Sequence, residues 1–425
     1  MARKHIYHLS SIDQSLVRTY IRYCLCFPYD PNHMDTAISS FHNFIERIIT
    51  HLPILAGGIR SVPDADSESL AAQPGRLEVH VGLQEVSNFR ATVRYIDYDE
   101  VWYTYLFLAQ TRMPPARLIN QLLTPLPDAP EKDALSSPVF AAQANIIKDG
   151  LLVALYLHHS VANVHGLGQI IRLMSSNSVP RAISDETLRT DAATQSELRA
   201  RLSGHKQPKE TSQLTGREVG TSRVLAFDLA TIEKTKDLMN ERFHDIYEEE
   251  IIHISAFDCL AAILWKAVSC ASWPQGPPED DSGRFLKLTI PVSVRNRLPS
   301  SSLPKDYFGN ALVHAETHSM SKIATINSLE DVSEAGISNR SFDTNLVVTS
   351  WADLPTGERD AGLGLGLGAP EWGRKIGRAN TGYGCIVLPG RREEGVWKVQ
   401  VTFTEEVMAR MLADEGLMKF VSWVA

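Results

Sequence analysis

Residues 158–166 read HHSVANVHG and follow directly on the apolar run GLLVALYL. Two adjacent imidazoles at the end of such a run could do proton chemistry. A histidine sheltered there can be held in one tautomer and take a proton from an alcohol or amine near neutral pH. Neighbours on an extended strand face opposite sides, so only one of His158 and His159 can point into a given cavity. The same stretch also fits a histidine satisfied within a core. A metal site made of His158, His159 and His165 fails on spacing, because no H-E-x-x-H pair occurs. The run GLGLGLG (362–368) matches neither G-x-G-x-x-G nor a P-loop, since Ala369 and Pro370 follow it rather than Gly-Lys-Ser/Thr. No serine or cysteine stands in a G-x-S-x-G elbow, which argues against a nucleophilic side chain of that type.

The elements that must position these residues follow from periodicity. GLLVALYL predicts a buried strand, and YIRYCLCFP (20–28), aromatic and apolar up to Pro28, predicts a second. Ile38, Phe41, Phe44, Ile45, Ile48 and Ile49 recur at spacings of three and four, the stripe of an amphipathic helix. Residues 87–149 predict loops and short strands. Residues 176–222 are polar with scarcely any apolar anchor and predict a linker, leaving one lobe over 1–175 and another over 223–425. In the second lobe SRVLAFDL, FLKLTIPVSV, NLVVTSW, TGYGCIVLPG and VWKVQVTF predict strands. LATIEKTKDLMNERF predicts a helix, and SAFDCLAAILWKAVSCA another with Ser255 as N-cap and Asp258 three residues on. TEEVMARMLADEGLMKFV predicts one closing helix capped by Thr404.

A chain of 425 residues suits two domains, because single cores stop growing at roughly 250 to 300 residues. Composition is that of a globular protein, and a formal charge of −8 excludes general affinity for nucleic acid or an anionic membrane. A small-molecule partner is expected. Five scattered cysteines fit neither a disulfide framework nor a zinc ribbon. With no secretory h-region and no apolar stretch long enough for a span, a reducing, cytoplasmic setting is expected.

The ordered set of these segments resembles the BAHD acyltransferases, in particular the fungal branch with the trichothecene 3-O-acetyltransferases. The family pattern H-x-x-x-D-x-x-G falls on His159, Asn163 and Gly166, and the D-F-G-W-G pattern falls on DAGLG, Asp360 to Gly364. LSSIDQSLVRTYIRYCLCFP, FDCLAAILWKAVS, VRNRLPSSSLPKDYFGNAL and VVTSWADLP resemble that branch in the same order. The resemblance implies an α/β fold of two chloramphenicol-acetyltransferase-like lobes with mixed sheets, joined by a long crossover, with an active-site channel at their interface. It implies acyl-CoA as co-substrate, entering from one face, a small acceptor entering from the other, no permanently bound cofactor, no metal and a monomer. By the same resemblance His159 is the general base and Thr349 the oxyanion donor. Trp351 stands beside the acyl group, and His158, Tyr307 and Asn310 line the channel. Asp360, Gly362 and Gly166 are structural supports, and so is the residue at 163, which pairs with Arg295.

The sequence departs from the pattern at three points. Asn163 keeps one acceptor for the Arg295 guanidinium but loses a charge-assisted bidentate pair, about 1 to 2 kcal/mol of local ordering. Ala361 stands where the pattern has phenylalanine, a deletion costing about 3 to 5 kcal/mol unless neighbours refill the space. Only about 50 residues separate YFGN from DAGLG, fewer than the family usually carries. An acyl-CoA-dependent O- or N-acyltransferase of secondary metabolism is therefore expected, acting through a ternary complex. The alternatives are a cyclase or isomerase on the same fold and a catalytically silent binding protein.

Overall fold

In a computed structural model the described residues are 3–28, 31–62, 76–118, 121–127, 136–176, 178–203, 220–246, 253–275, 287–300, 302–316, 345–356, 365–376, 384–390 and 395–425. The chain runs through β1 (Lys4–His8), α1 (Ser11–Ser15), β2 (Tyr20–Pro28), α2 (Met34–His51), β3 (Gly58–Ser61) and β4 (Leu77–Gly82). Next come α3 (Leu83–Asn88), β5 (Thr92–Tyr95), α4 (Tyr98–Val101), α5 (Tyr105–Gln110), β6 (Ser137–Pro138), β7 (Phe140–Ile147), β8 (Gly150–His158) and α6 (Val164–Ser175). After α7 (Asp185–Ala200) the second half holds β9 (Thr221–Asp228), α8 (Leu229–Ile246), α9 (Ala256–Ser272), β10 (Lys287–Ser293), β11 (Leu312–Glu316) and β12 (Asn345–Ser350). It closes with β13 (Trp372–Lys375), β14 (Gly384–Val387), β15 (Val396–Phe403), α10 (Glu405–Ala413), α11 (Glu415–Met418) and β16 (Val421–Val424).

The two apolar runs pair antiparallel, β2 against β8, with Tyr20 opposite His158. Both are buried almost end to end, as strands covered on both faces must be. They lie in a five-stranded sheet ordered β13-β2-β8-β7-β5, in which β5 runs parallel to β7 and the other pairs are antiparallel. The α2 stripe packs into the same core, with Phe41, Phe44, Ile45, Ile48 and Ile49 buried beside Leu167, Ile170, Ile171 and Met174 of α6. The second half builds a seven-stranded mixed sheet, β11-β10-β12-β14-β15-β9-β16, with α9 over its buried face. A four-stranded antiparallel sheet, β1-β4-β3-β6, completes the described fold. The architecture is α/β with mixed sheets. β13, from the second half, is hydrogen-bonded to β2 in the first, with Arg374 opposite Cys24.

Two local expectations need correction. The polar stretch after residue 176 is not wholly a linker, because it contains α7, capped by Ser184 and buried at Leu188, Ala192 and Arg199. Its anchors to β1 are polar: Tyr7 Oη donates to Asp191 at 2.7 Å, and His5 Nε2 meets Asp185 Oδ1 at 2.9 Å. The closing segment is not one helix. Thr404 caps α10 as expected, but the Asp414 carboxylate accepts from the Gly416 and Leu417 amides and restarts the chain as α11. A short polar side chain that bonds nearby amides favours a cap over a helix interior. The last residues then pair with β9 as β16.

Asp360, Ala361 and Gly362, and most of the short stretch between YFGN and DAGLG, lie outside the described residues. Among the described residues no helix is long and apolar enough to cross a membrane, and no group of three His, Cys, Asp or Glu side chains could hold a metal.

Candidate active site

A cavity of about 350 Å³ lies between the two halves, a volume suited to a small ligand. One wall comes from the α1–β2 loop, the start of β2, His159 and the beginning of α6. The other comes from β10, β11, the end of β12 and β14, including Thr349, Ser350 and Trp351.

β8 ends at His158, and the chain turns so that consecutive imidazoles part. His158 is 2% exposed and absent from the cavity wall, contrary to its expected place in the channel. Its Nδ1 accepts from the Ser160 amide at 3.2 Å and its ring meets Tyr20 edge-on at 5.3 Å. Burial, then His159 and Arg18, push its pKa down to about 3. His159 is half-buried and lines the cavity. Its amide donates to the Thr19 carbonyl at 2.8 Å, tying the turn to the strand preceding it in space. Burial lowers the ring's pKa, while its own main-chain carbonyl and the Asp13 carboxylate oppose that shift. The imidazole is thus neutral near pH 7, the state in which it accepts a proton.

Behind His159 lies a buried polar cluster that motif reasoning missed. Arg199 of α7 and Asp13 of α1, both wholly buried, form an ion pair at 2.5 Å. The other Arg199 branch donates to the Val161 and Phe308 carbonyls, each at 3.0 Å. Asn310 Nδ2 donates to Asp13 Oδ1 at 2.8 Å and to the His159 carbonyl at 2.9 Å. Asp13 also accepts from the Ser10 amide at 2.9 Å, closing a capping box on α1. That box, S-x-x-D at 10–13, was the one sequence signal available for Asp13. Asn310 and Tyr307 were expected in the channel but stand behind its wall. Asn310 is turned toward Asp13, and Tyr307 is buried beneath the guanidinium groups of Arg199 and Arg295, 5.8 and 5.9 Å from its ring centre.

The expected Asn163–Arg295 pair is not formed. Asn163 is the N-cap of α6, its Oδ1 accepting from the His165 amide at 3.1 Å. Arg295, 4% exposed, donates through Nη2 to the Gly309 carbonyl, and its Nε and Nη1 have no partner among the described residues. Burial pulls its pKa down to about 10. The physical reason is competition: the orphan amides at the start of a helix take the Asn163 carbonyl oxygen first. Both residues, and His165, nevertheless line the cavity. Burial, then Arg295 and Arg172, push His165 down to about 4. Gly166 is required by close approach, since a Cβ there would lie 2.6 Å from Ala162 Cβ and 3.2 Å from the Phe308 ring.

On the opposite wall Thr349 stands one residue before the end of β12, in parallel register with Ile386 of β14. Trp351 follows, 7% exposed, its amide bonded to the Val387 carbonyl at 2.8 Å and its ring edge-on to Tyr23 at 5.9 Å. Thr349, Trp351 and His159 thus share one cavity. Arg22, Arg172, Arg295 and Lys375 line it against a single carboxylate, Asp353, among the described residues. The site is basic within a chain of net charge −8.

Comparison with known proteins agrees with this architecture. Similar structures include F. sporotrichioides TRI101, described as complexed with coenzyme A and T-2, at 18% identity and TM-score 0.74 over 98% of this chain and 99% of that one. Vinorine synthase matches at 14% identity and TM-score 0.57 over 98% and 93%. By sequence, the O-acetyltransferase ptmV of Penicillium ochrochloron is 24% identical over 96% of this chain and 95% of its own. The eremophilane O-acetyltransferase ORF8 of Penicillium roqueforti is 24% identical over 97% and 98%. The trichothecene 3-O-acetyltransferase-like N-terminal domain matches residues 19–177. The Transferase family matches residues 109–335, more than half of the sequence, and with this fold and these relatives the chain belongs to that family as a BAHD-type acyltransferase.

Proposed function

We propose that this chain transfers an acyl group from acyl-CoA to a hydroxyl or amine of a small secondary metabolite, directly and within a ternary complex. The observation that carries this reading is that His159 and Thr349, from opposite halves of one chain, line the same basic cavity. A cavity with four cationic side chains and one carboxylate suits a polyanion such as coenzyme A. The similar O-acetyltransferases, and TRI101 complexed with coenzyme A, point the same way.

His159 Nε2 takes the acceptor's proton as its oxygen or nitrogen adds to the thioester carbonyl. Thr349 donates to the oxyanion that develops on that carbonyl. Collapse of the intermediate breaks the C–S bond, and the sulfur recovers the proton from His159. Trp351 flanks the acyl group. The lobes expected over 1–175 and 223–425 supply one wall each. The neutral residue at 163, which suggested a repurposed enzyme, has a local explanation as a helix cap and lends that alternative little support.

The test is thiol release from acetyl-CoA with a panel of small alcohols and amines. His159→Ala should lower the rate about 10²- to 10⁴-fold with an unchanged melting temperature. Retention of most of the rate would remove His159 from the reaction. Calorimetric titration with acetyl-CoA should give saturable binding, and none at millimolar ligand would reject the donor.

A further inference from the structure

We infer that Asp13 is a positioning residue for His159, acting through the Asn310 amide, and that Arg199 locks the Asp13 carboxylate in that role. The inference rests on His159 being the base. Three wholly buried polar side chains from α1, α7 and the YFGN loop form one cluster, and its Asn310 amide holds the carbonyl of His159, which lines the cavity. Buried charge is costly and is tolerated where partners are complete. The Asp13 carboxylate is well supplied: it receives the Ser10 amide, Arg199 Nη1, and the main-chain and side-chain nitrogens of Asn310.

The Asn310 side chain shows what the cluster favours. Both groups facing its Nδ2, Asp13 Oδ1 and the His159 carbonyl, are acceptors, so the amide orientation is forced. Its Oδ1 is left buried and unpaired among the described residues. An orphaned buried acceptor costs stability. A side chain chosen for stability alone would not be left so; one chosen to hold the His159 carbonyl would.

The effect is also electrostatic. Abstracting a proton makes His159 cationic. The cavity wall it shares carries Arg22, Arg172, Arg295, Lys375, His165, His314 and Asp353, and His158 is its chain neighbour. The carboxylate whose field acts on the ring is Asp13, and that field favours the protonated form. It thus stabilises the charge that appears during the reaction, as the orienting member of a nucleophile–base–carboxylate relay does, but through an intervening amide.

Two readouts on the full chain test this. Exchange of the His159 ring C2 hydrogen, followed by mass spectrometry against pH, reports the imidazole pKa without any substrate. Thiol release from acetyl-CoA with the fastest alcohol of the panel reports kcat and KM. Asp13→Asn should lower the His159 pKa by about half a unit or more, carry the acid limb of kcat/KM to lower pH with it, and cut kcat about tenfold or more. A fall in kcat with an unmoved pKa would leave Asp13 a merely structural part and overturn the inference. Should Asp13→Asn not fold, Asn310→Ala keeps the Asp13–Arg199 pair while cutting the link. Its kcat should fall about tenfold with KM for acetyl-CoA within about twofold, and wild-type kcat overturns the inference. If His159→Ala is inactive while Asn310→Ala is normal, only this inference fails; if His159→Ala is active, the base itself is wrong.

Discussion

Arg199 and Arg295 both lie over the ring of Tyr307 and both are buried, yet they are solvated in opposite ways. Arg199 has a carboxylate and two carbonyls. Burial works hardest against its charge, but Asp13, Tyr307 and Tyr7 together outweigh burial and its pKa lies above the ordinary value. Arg295 has one carbonyl, and burial wins. The difference teaches that depth does not decide the fate of a buried cation; the number of anionic and carbonyl oxygens around it does. It extends to the histidines beside them. His159, on the Asp13 side, has a carboxylate opposing its downward shift, whereas His165, near Arg295, has a cation adding to it.

The contrast can be broken most forcefully at Arg199. Arg199→Met strands the Asp13 carboxylate and should cost about 3 to 5 kcal/mol in urea unfolding. Arg295→Met should cost far less, and an equal loss would show that compensation is not what separates the two sites. Acid sharpens the contrast next. The folded-state pKa values of His158, about 3, and His165, about 4, lie below the ordinary 6.5, so between these limits the unfolded chain binds more protons. Stability should therefore fall as pH drops from 6.5 toward 4 and be flat just above, with His158 alone contributing about 1.4 kcal/mol per pH unit at most. Calorimetric melts across that window check it, and a melting temperature that holds steady would contradict it. The smallest effect expected is a gain. Asn163→Asp keeps the α6 cap, favours the helix N-terminus and supplies a carboxylate on the wall that also carries Arg295, worth about 1 to 2 kcal/mol. An unchanged urea midpoint would mean that the two side chains do not meet.

What the sequence revealed follows from which forces are local. β2 and β8 were legible because a strand covered on both faces reads as an unbroken apolar run. The Ser255 and Thr404 caps were legible because capping is decided within three residues. α7 was not, since its apolar burial is small and its hold on the rest is made by Asp185, Asp191 and Arg199, whose partners lie about 180 residues away. The His159 turn could be located from its motif and resemblance. What stands behind it could not, because Asp13 is local to α1 as a cap and belongs to the site only through tertiary contact. The same limit misplaced His158, Tyr307 and Asn310: a motif gives proximity in sequence, not the side of the wall to which a side chain turns.

The exchange of β13 into the sheet of the first half also restricts how ligands move. Four residues of the second half are stitched to the edge of β2, so the halves cannot swing apart like a clamshell without unzipping backbone hydrogen bonds. Any ligand of the cavity must instead enter and leave with that seam closed.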